Sequence, residues 1–216
     1  MDLEEFKGQY YFFSNPQDYG RIFVFVDFGN VRPWAKELWP EENKFRFCVE
    51  IDISKLAIIC DWVQPKRKFF YYGHFPLLDD LPVGHQLNEK YRKSIFRIDK
   101  AKHAGFVARS KEIKMIPHYN EDGKYLGKVP KCNFDVEMTM DMLMKIQKYD
   151  TVMLFSGDSD FGGLLKYLKA KGKKIIIVCT RSRISKELQS VADIVVPAET
   201  LKGFLIYDNK NTPPRQ

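Results

Sequence analysis

The sequence predicts an α/β fold with a mostly parallel central sheet. Three observations predict it. Apolar runs bounded by turn residues alternate along the chain with stretches of helical period. Residues 22–26 form a nearly unbroken apolar run, as in strands covered on both faces of a parallel sheet. The last third is the clearest: strands at 152–155, 175–179 and 194–196 alternate with helices at 161–171 and 184–191, a β-α-β-α-β series with tight links.

Taken in order, residues 1–20 read as an N-terminal arm with Tyr10, Tyr11, Phe12 and Phe13 as aromatic anchors. Strand one stops at Asp27. A helix at 54–62 follows, capped by Asp52 or Ser54, with Leu56, Ile59 and Val63 on one face. The second strand, 69–72, lies in the basic and aromatic run Lys66 to Tyr72, which reads as core rather than as a base-stacking platform. A long basic helix at 85–103 ends at Gly105. Residues 106–116 look extended, and 117–131 form a β insertion or loop around the turn pair Asp122-Gly123. Asn133 is expected to cap a helix reaching residue 149, with Val136, Met140, Leu143, Met144 and Gln147 as its apolar stripe. One domain thus spans 21–207, with a flexible tail at 208–216.

At 216 residues, with 44% hydrophobic and 29% charged content, disordered, collagenous and repeat chains are excluded. No window reaches the roughly 18–20 apolar residues of a membrane span, and the start carries no signal peptide, so a cytoplasmic location is expected. Cys48, Cys60, Cys132 and Cys179 are too scattered for a zinc site or disulfide framework and read as buried thiols. His74, His85, His103 and His118 show no ligand spacing. The net charge of +7 favours a polyanionic partner, and residues 161–186 hold eight basic side chains and no acidic one. Neither glycine-rich nucleotide signature is present. A phosphatase using two aspartates after strand one would need an acid where Gly29 stands.

Ligands of open parallel sheets bind beyond the carboxyl ends of the strands. Asp27 closes strand one there, and the strand at 152–155 runs into Ser156-Gly157-Asp158-Ser159-Asp160. Asp135 stands in the first turn of the helix after Asn133, with Glu137 and Asp141 four residues apart beyond it. Like charges about 4 Å apart repel by roughly 4 kcal/mol at an effective dielectric near 20, so a cation is expected between them. Oxygen donors without His or Cys select Mg²⁺ or Mn²⁺ over zinc. Each acid also has a plain structural role open to it. Asp158 and Asp160 suit helix capping, and Asp135 suits a first turn. Asp135 and Asp141 lie about 600° apart around a helix and cannot point the same way. Asp27 has the fewest such roles. Beyond residues 175–179, the hydroxyls of Thr180, Ser182 and Ser185 are placed either to hold a substrate phosphate or simply to cap the next helix.

The segments V-D-F-G-N (26–30), N-F-D-V-E-M-T-M-D-M-L (133–143) and L-F-S-G-D-S-D-F (154–161) together resemble the NYN domain, in particular the LabA-like branch of the PIN-like nuclease superfamily. The segments F-F-Y-Y-G (69–73) and S-K-E-L-Q-S-V-A-D (185–193) fit the same pattern. The resemblance implies a three-layer α/β/α, Rossmann-like PIN-like fold and a divalent-metal ribonuclease acting on RNA, expected to be single-stranded. It implies that Asp27, Asp135, Asp158 and Asp160 hold Mg²⁺ or Mn²⁺ and carry catalysis, supported by Asn30, Asp141 and Ser156. Where the family often has Lys-Gly before the helix acid, this chain has Cys132-Asn133-Phe134, leaving Lys131 as the substitute. The remaining substrate contacts are expected from Lys173, Lys174, Arg181, Ser182, Arg183 and Ser185. A homo-oligomer is left open. The rival reading is a non-catalytic nucleic-acid-binding or protein-interaction module on the same fold.

Overall fold

The computed structural model describes residues 3–41, 49–77 and 86–205. Its strands are β1 (Ile22–Asp27), β2 (Arg67–Tyr71), β3 (Val107–Arg109), β4 (Lys114–Tyr119), β5 (Tyr125–Lys131), β6 (Thr151–Phe155), β7 (Lys174–Cys179) and β8 (Ile194–Pro197). Its helices are α1 (Leu3–Gln9), α2 (Tyr11–Ser14), α3 (Phe28–Val31), α4 (Trp34–Leu38), α5 (Ile53–Asp61), α6 (Gln86–His103), α7 (Asp135–Met144), α8 (Gly162–Ala170), α9 (Lys186–Val191) and α10 (Lys202–Leu205).

Six strands form a parallel sheet in the order β3-β2-β1-β6-β7-β8, and β4 pairs with β5 in a separate antiparallel ribbon. The chain works outward from β1 through β2 to β3, then returns to the other side of β1 with β6 and continues to β8. The direction of winding therefore reverses between β1 and β6, and a crevice opens beyond their carboxyl ends.

Aromatic packing covers both faces of the central strands. Phe25 stacks on Phe69 at 5.0 Å between centroids, and Phe23 meets Tyr149 at 5.3 Å. Phe70 packs on Phe28 at 4.7 Å and Phe106 at 5.5 Å. Alternation along β1 puts Asp27 on the same face as Phe23 and Phe25. Asp52 caps α5 by accepting from the backbone N–H groups of Ser54 and Lys55, and Leu56, Ile59 and Val63 are buried as the periodicity predicts. Gly105 follows α6 with φ +85°, a backbone conformation that glycine adopts without strain.

The N-terminal arm is anchored in the core by Phe12 and Phe13, together with Phe6, which lies within 5.6 Å of Trp62 and Phe204, while Tyr11 is exposed. Two expectations are corrected. The ribbon begins at Lys114 rather than at 117. The largest difference is α7. It ends at Met144, and Asn133 does not cap it but donates to the Asp135 carboxylate at 2.7 Å. Val136 and Met144 are 69% and 75% exposed, because Phe134, Met138 and Met142 claim the sheet side and draw Asp141 inward with them. Cys60 and Cys179 are buried and Cys132 half-buried; His85, Cys48 and the tail at 208–216 lie outside the described residues.

Candidate active site

Asp27 is the last residue of β1, with Tyr71 of β2 its register partner on one side. Its Oδ1 accepts from the Asn30 N–H at 3.3 Å, which starts the α3 turn. Burial raises its carboxyl to about 6, the Asn30 hydrogen bond offsetting part of this and the charges of Asp135 and Asp158 adding to it. On the facing helix, Asp135 is also raised, first by burial and then by Asp158 and Asp160, against the pull of Asn133 and Lys111. Asp27 is thus within electrostatic reach of Asp135 and Asp158, and Asp135 of Asp158 and Asp160, which brings acids of three separated segments together at the winding reversal.

Two fastenings hold the loops that carry them. The Asn30 Oδ1 accepts from the Gly157 N–H at 3.2 Å, tying the loop after β1 to the loop after β6. Ser156, fully buried, accepts from the Asp158 N–H at 3.3 Å, and Asp158 accepts from the Asp160 N–H at 3.1 Å. The capping role open to Asp158 in the sequence is therefore realised, for the short turn at Ser159–Phe161. Gly157 is required by space: a Cβ there would collide with the Cys179 Sγ and lie 2.7 Å from the Arg183 carbonyl oxygen.

Asp141 does not join the four. It accepts from the Tyr71 hydroxyl at 2.8 Å, from Arg109 Nε at 3.2 Å and from Lys145. Burial opposes its ionisation, but hydrogen bonds from Lys145, Arg109 and Tyr71 outweigh that and hold it below its ordinary value. Its carboxylate thus fastens Tyr71, the register neighbour of Asp27.

The expected substrate residues are placed less simply. Lys173 donates to the Tyr149 carbonyl and Lys174 to the Asp18 carbonyl, at the amino end of β7. The carboxyl edge lies five residues, about 16 Å, away, so neither lysine is brought to the acids. Glu37 of α4 accepts from Thr180 at 2.8 Å, from Ser182 at 2.6 Å and from Arg183, which occupies the loop after β7 internally. Ser185 caps α9 by accepting from the Leu188 N–H at 3.2 Å. The capping alternative thus describes Ser185, while Ser182 is engaged by Glu37. The Arg181 N–H donates to Glu199 at 2.9 Å, and Lys131 is exposed at the end of β5. The basic run is partly neutralised by acids from elsewhere, Lys166 by Glu187 and Lys169 by Asp193.

Lys111 is a site residue that the sequence reading missed. It pairs with Glu137, lies 4.8 Å from the Phe134 ring centroid, and is the cation that acts on Asp135. No sequence signal marks it, because it comes from the loop after β3, 24 residues before that acid.

Among the described residues, no three His, Cys, Asp or Glu side chains close on a common point at metal-ligand spacing. The chemistry of the donor set nevertheless suits a hard divalent cation. Asp27, Asp135, Asp158 and Asp160 offer oxygen only, and the first two are pushed toward protonation by burial and by their neighbours' charge, a cost that a cation would remove.

A parallel sheet in this strand order, with carboxylates gathered at the winding reversal, defines an α/β domain of the PIN-like kind. The NYN domain model matches residues 21–199, and the chain belongs to the NYN domain family, a branch of the PIN-like nuclease superfamily. It is 30% identical over 109 residues to the low amplitude and bright protein LabA of Synechococcus elongatus, a match covering 50% of this chain and 57% of that protein, which supports the LabA-like type. The chain thus spans little more than half the length of that relative. In fold it is similar to the crystal structure of a protein of unknown function from Vibrio parahaemolyticus, with a TM-score of 0.53 at 20% identity, covering 87% of this chain and 96% of that one. No described helix is long and apolar enough to cross a membrane.

Proposed function

We propose that the chain is a divalent-metal-dependent ribonuclease acting on single-stranded RNA at the carboxyl edge of the sheet, with Mg²⁺ or Mn²⁺ as its cofactor. The observation that carries this reading is Asp27: a half-buried acid, raised to about 6, at the winding reversal and facing Asp135 and Asp158. A fold that keeps a carboxyl there at such a cost has a use for its charge. Asp27, Asp135, Asp158 and Asp160 would hold the ion. Bound among them, it would supply polarisation of a phosphate oxygen and a water of lowered pKa. Asn30 and Ser156 keep the two acidic loops in register, and Asp141 fixes Tyr71 beside Asp27. Lys111 contributes positive charge that acts on Asp135.

The test is cleavage of a 5′-labelled mixed-sequence single-stranded RNA in Mg²⁺, in Mn²⁺ and in EDTA. Wild type cleaves in either metal and not in EDTA, and Asp27→Asn falls to background while its circular dichroism is unchanged. Cleavage by Asp27→Asn at the wild-type rate would remove the site. Metal-induced stabilisation of a wild type that never cleaves would instead favour a binding module.

A further inference from the structure

The β4–β5 ribbon stands apart from the six-stranded sheet, and every residue of both strands except Met115 and Gly127 is exposed. A lone two-stranded ribbon is marginal in water, so one kept this open invites a partner. At its base, Lys114 and Lys131 are directly opposite in the register, an arrangement in which like charges are destabilising. Neither has an ion-pair partner among the described residues. Lys128 is exposed midway along β5. At the far end, Tyr119 and Tyr125 also oppose each other, 55% and 53% exposed, with ring centroids 5.7 Å apart in an edge-on pair. The ribbon leads straight into the acids: Lys131 is four residues before Asp135, and between them Cys132 lies close to Gly73 and within electrostatic reach of Asp27.

We propose that this ribbon is the arm that grips the RNA strand beside the acidic edge, the Lys114–Lys131 pair taking a backbone phosphate and the Tyr119–Tyr125 pair stacking on a base. The proposal rests on the reading of that edge as an RNA-cleaving site. A phosphate is the charge that turns a repulsive lysine pair into an attractive one, and exposed aromatic faces bind bases of any sequence. The paired cations at the base and the paired rings at the tip suit a flexible single strand better than a duplex, whose bases are already stacked.

The experiment is fluorescence anisotropy of a labelled 12-nucleotide oligouridine in EDTA, across a salt series. It compares wild type, the double variant Lys114→Gln/Lys131→Gln, the double variant Tyr119→Ala/Tyr125→Ala, and Asp27→Asn. Two lost phosphate contacts at about 0.7 each should lower the log–log salt slope of the lysine variant by about 1.4. The tyrosine variant should bind at least about fivefold more weakly at every salt, with its slope unchanged. The lysine variant should melt no lower than wild type, since it removes a repulsion. Wild-type affinity and slope in both double variants would overturn the proposal. So would loss of concentration-dependent self-association in sedimentation with RNA binding intact, which would make the ribbon an interface between copies. Weakened binding in the ribbon variants alongside undiminished cleavage by Asp27→Asn would sink the catalytic reading and leave the arm standing. The reverse pair of results would sink the arm alone.

Discussion

Asp27→Asn should make the metal-free protein more stable. In the folded chain Asp27 keeps its proton up to about pH 6, against 3.8 for a free carboxyl. Below the lower value both folded and unfolded chains carry the proton, and the group is neutral to stability. As the pH rises between the two values, only the unfolded chain ionises, so stability is lost; above pH 6 the full cost is present. At about 1.36 kcal/mol for each tenfold, that cost is about 3 kcal/mol, a ceiling because the residue keeps some solvent contact. An asparagine has no charge to bury, and its Oδ1 can still accept from the Asn30 N–H. In EDTA at pH 8 the variant should therefore gain up to about 3 kcal/mol, or about 6–12 °C in Tm for a chain of this size. At pH 3.5 the two proteins should melt together. Mn²⁺ should reverse the order at pH 8 by raising the Tm of wild type alone. The measurement is calorimetric melting from pH 3.5 to 8.5, with and without metal. A variant no more stable at pH 8, or a gap that does not close on acidification, would refute the reasoning.

Other perturbations separate scaffold from site. Asp141→Asn should cost about 1–3 kcal/mol at pH 7 by urea denaturation, because Lys145, Arg109 and Tyr71 lose their charged acceptor; since the carboxyl of Asp141 is held below its usual value, that cost should be full above about pH 4 and fade as the pH falls below it. Gly157→Ala must displace Cys179 or the loop at Arg183, so it should cost about 1–3 kcal/mol and lower the Mn²⁺-induced rise in Tm, both read from the same melting curves. Ser185→Ala should remove a helix cap worth about 1 kcal/mol and leave the KM for RNA of the folded fraction unchanged in steady-state cleavage assays. Lys173→Glu/Lys174→Glu acts at the far edge of the sheet and should leave the salt dependence of RNA binding unaltered in anisotropy titrations.

The fold was legible because its signals are local. The apolar run of β1, the glycine after α6 and the tight β-α-β-α-β series each lie within a few residues, and alternation and turn chemistry are short-range rules. The position of Asp27 was legible for the same reason, since an acid closing an apolar run marks the end of β1. What could not be read is what distant segments contribute. Residues 161–186 contain no acid, yet Glu37, Asp193 and the following residue Glu187 neutralise part of their charge, and Ser182 is engaged by a glutamate 145 positions away. The face of α7 was misjudged because its sequence offers two apolar stripes, and the one that docks is chosen by the aromatic floor under Phe134 and by Tyr71 and Arg109, which make a buried Asp141 tolerable. Lys111 was invisible for lack of any pattern joining a loop lysine to an acid 24 residues on.

The account stands on Asp27, Asp135, Asp158 and Asp160 acting as one ion site. Titration of Mn²⁺ followed by electron paramagnetic resonance tests this most directly, because free and protein-bound Mn²⁺ are counted separately in the same sample. Wild type should bind the ion saturably, and Asp27→Asn, Asp135→Asn and Asp158→Asn should each bind it at least about tenfold more weakly. Binding by all three variants as tight as wild type, or no saturable binding by wild type, would contradict it.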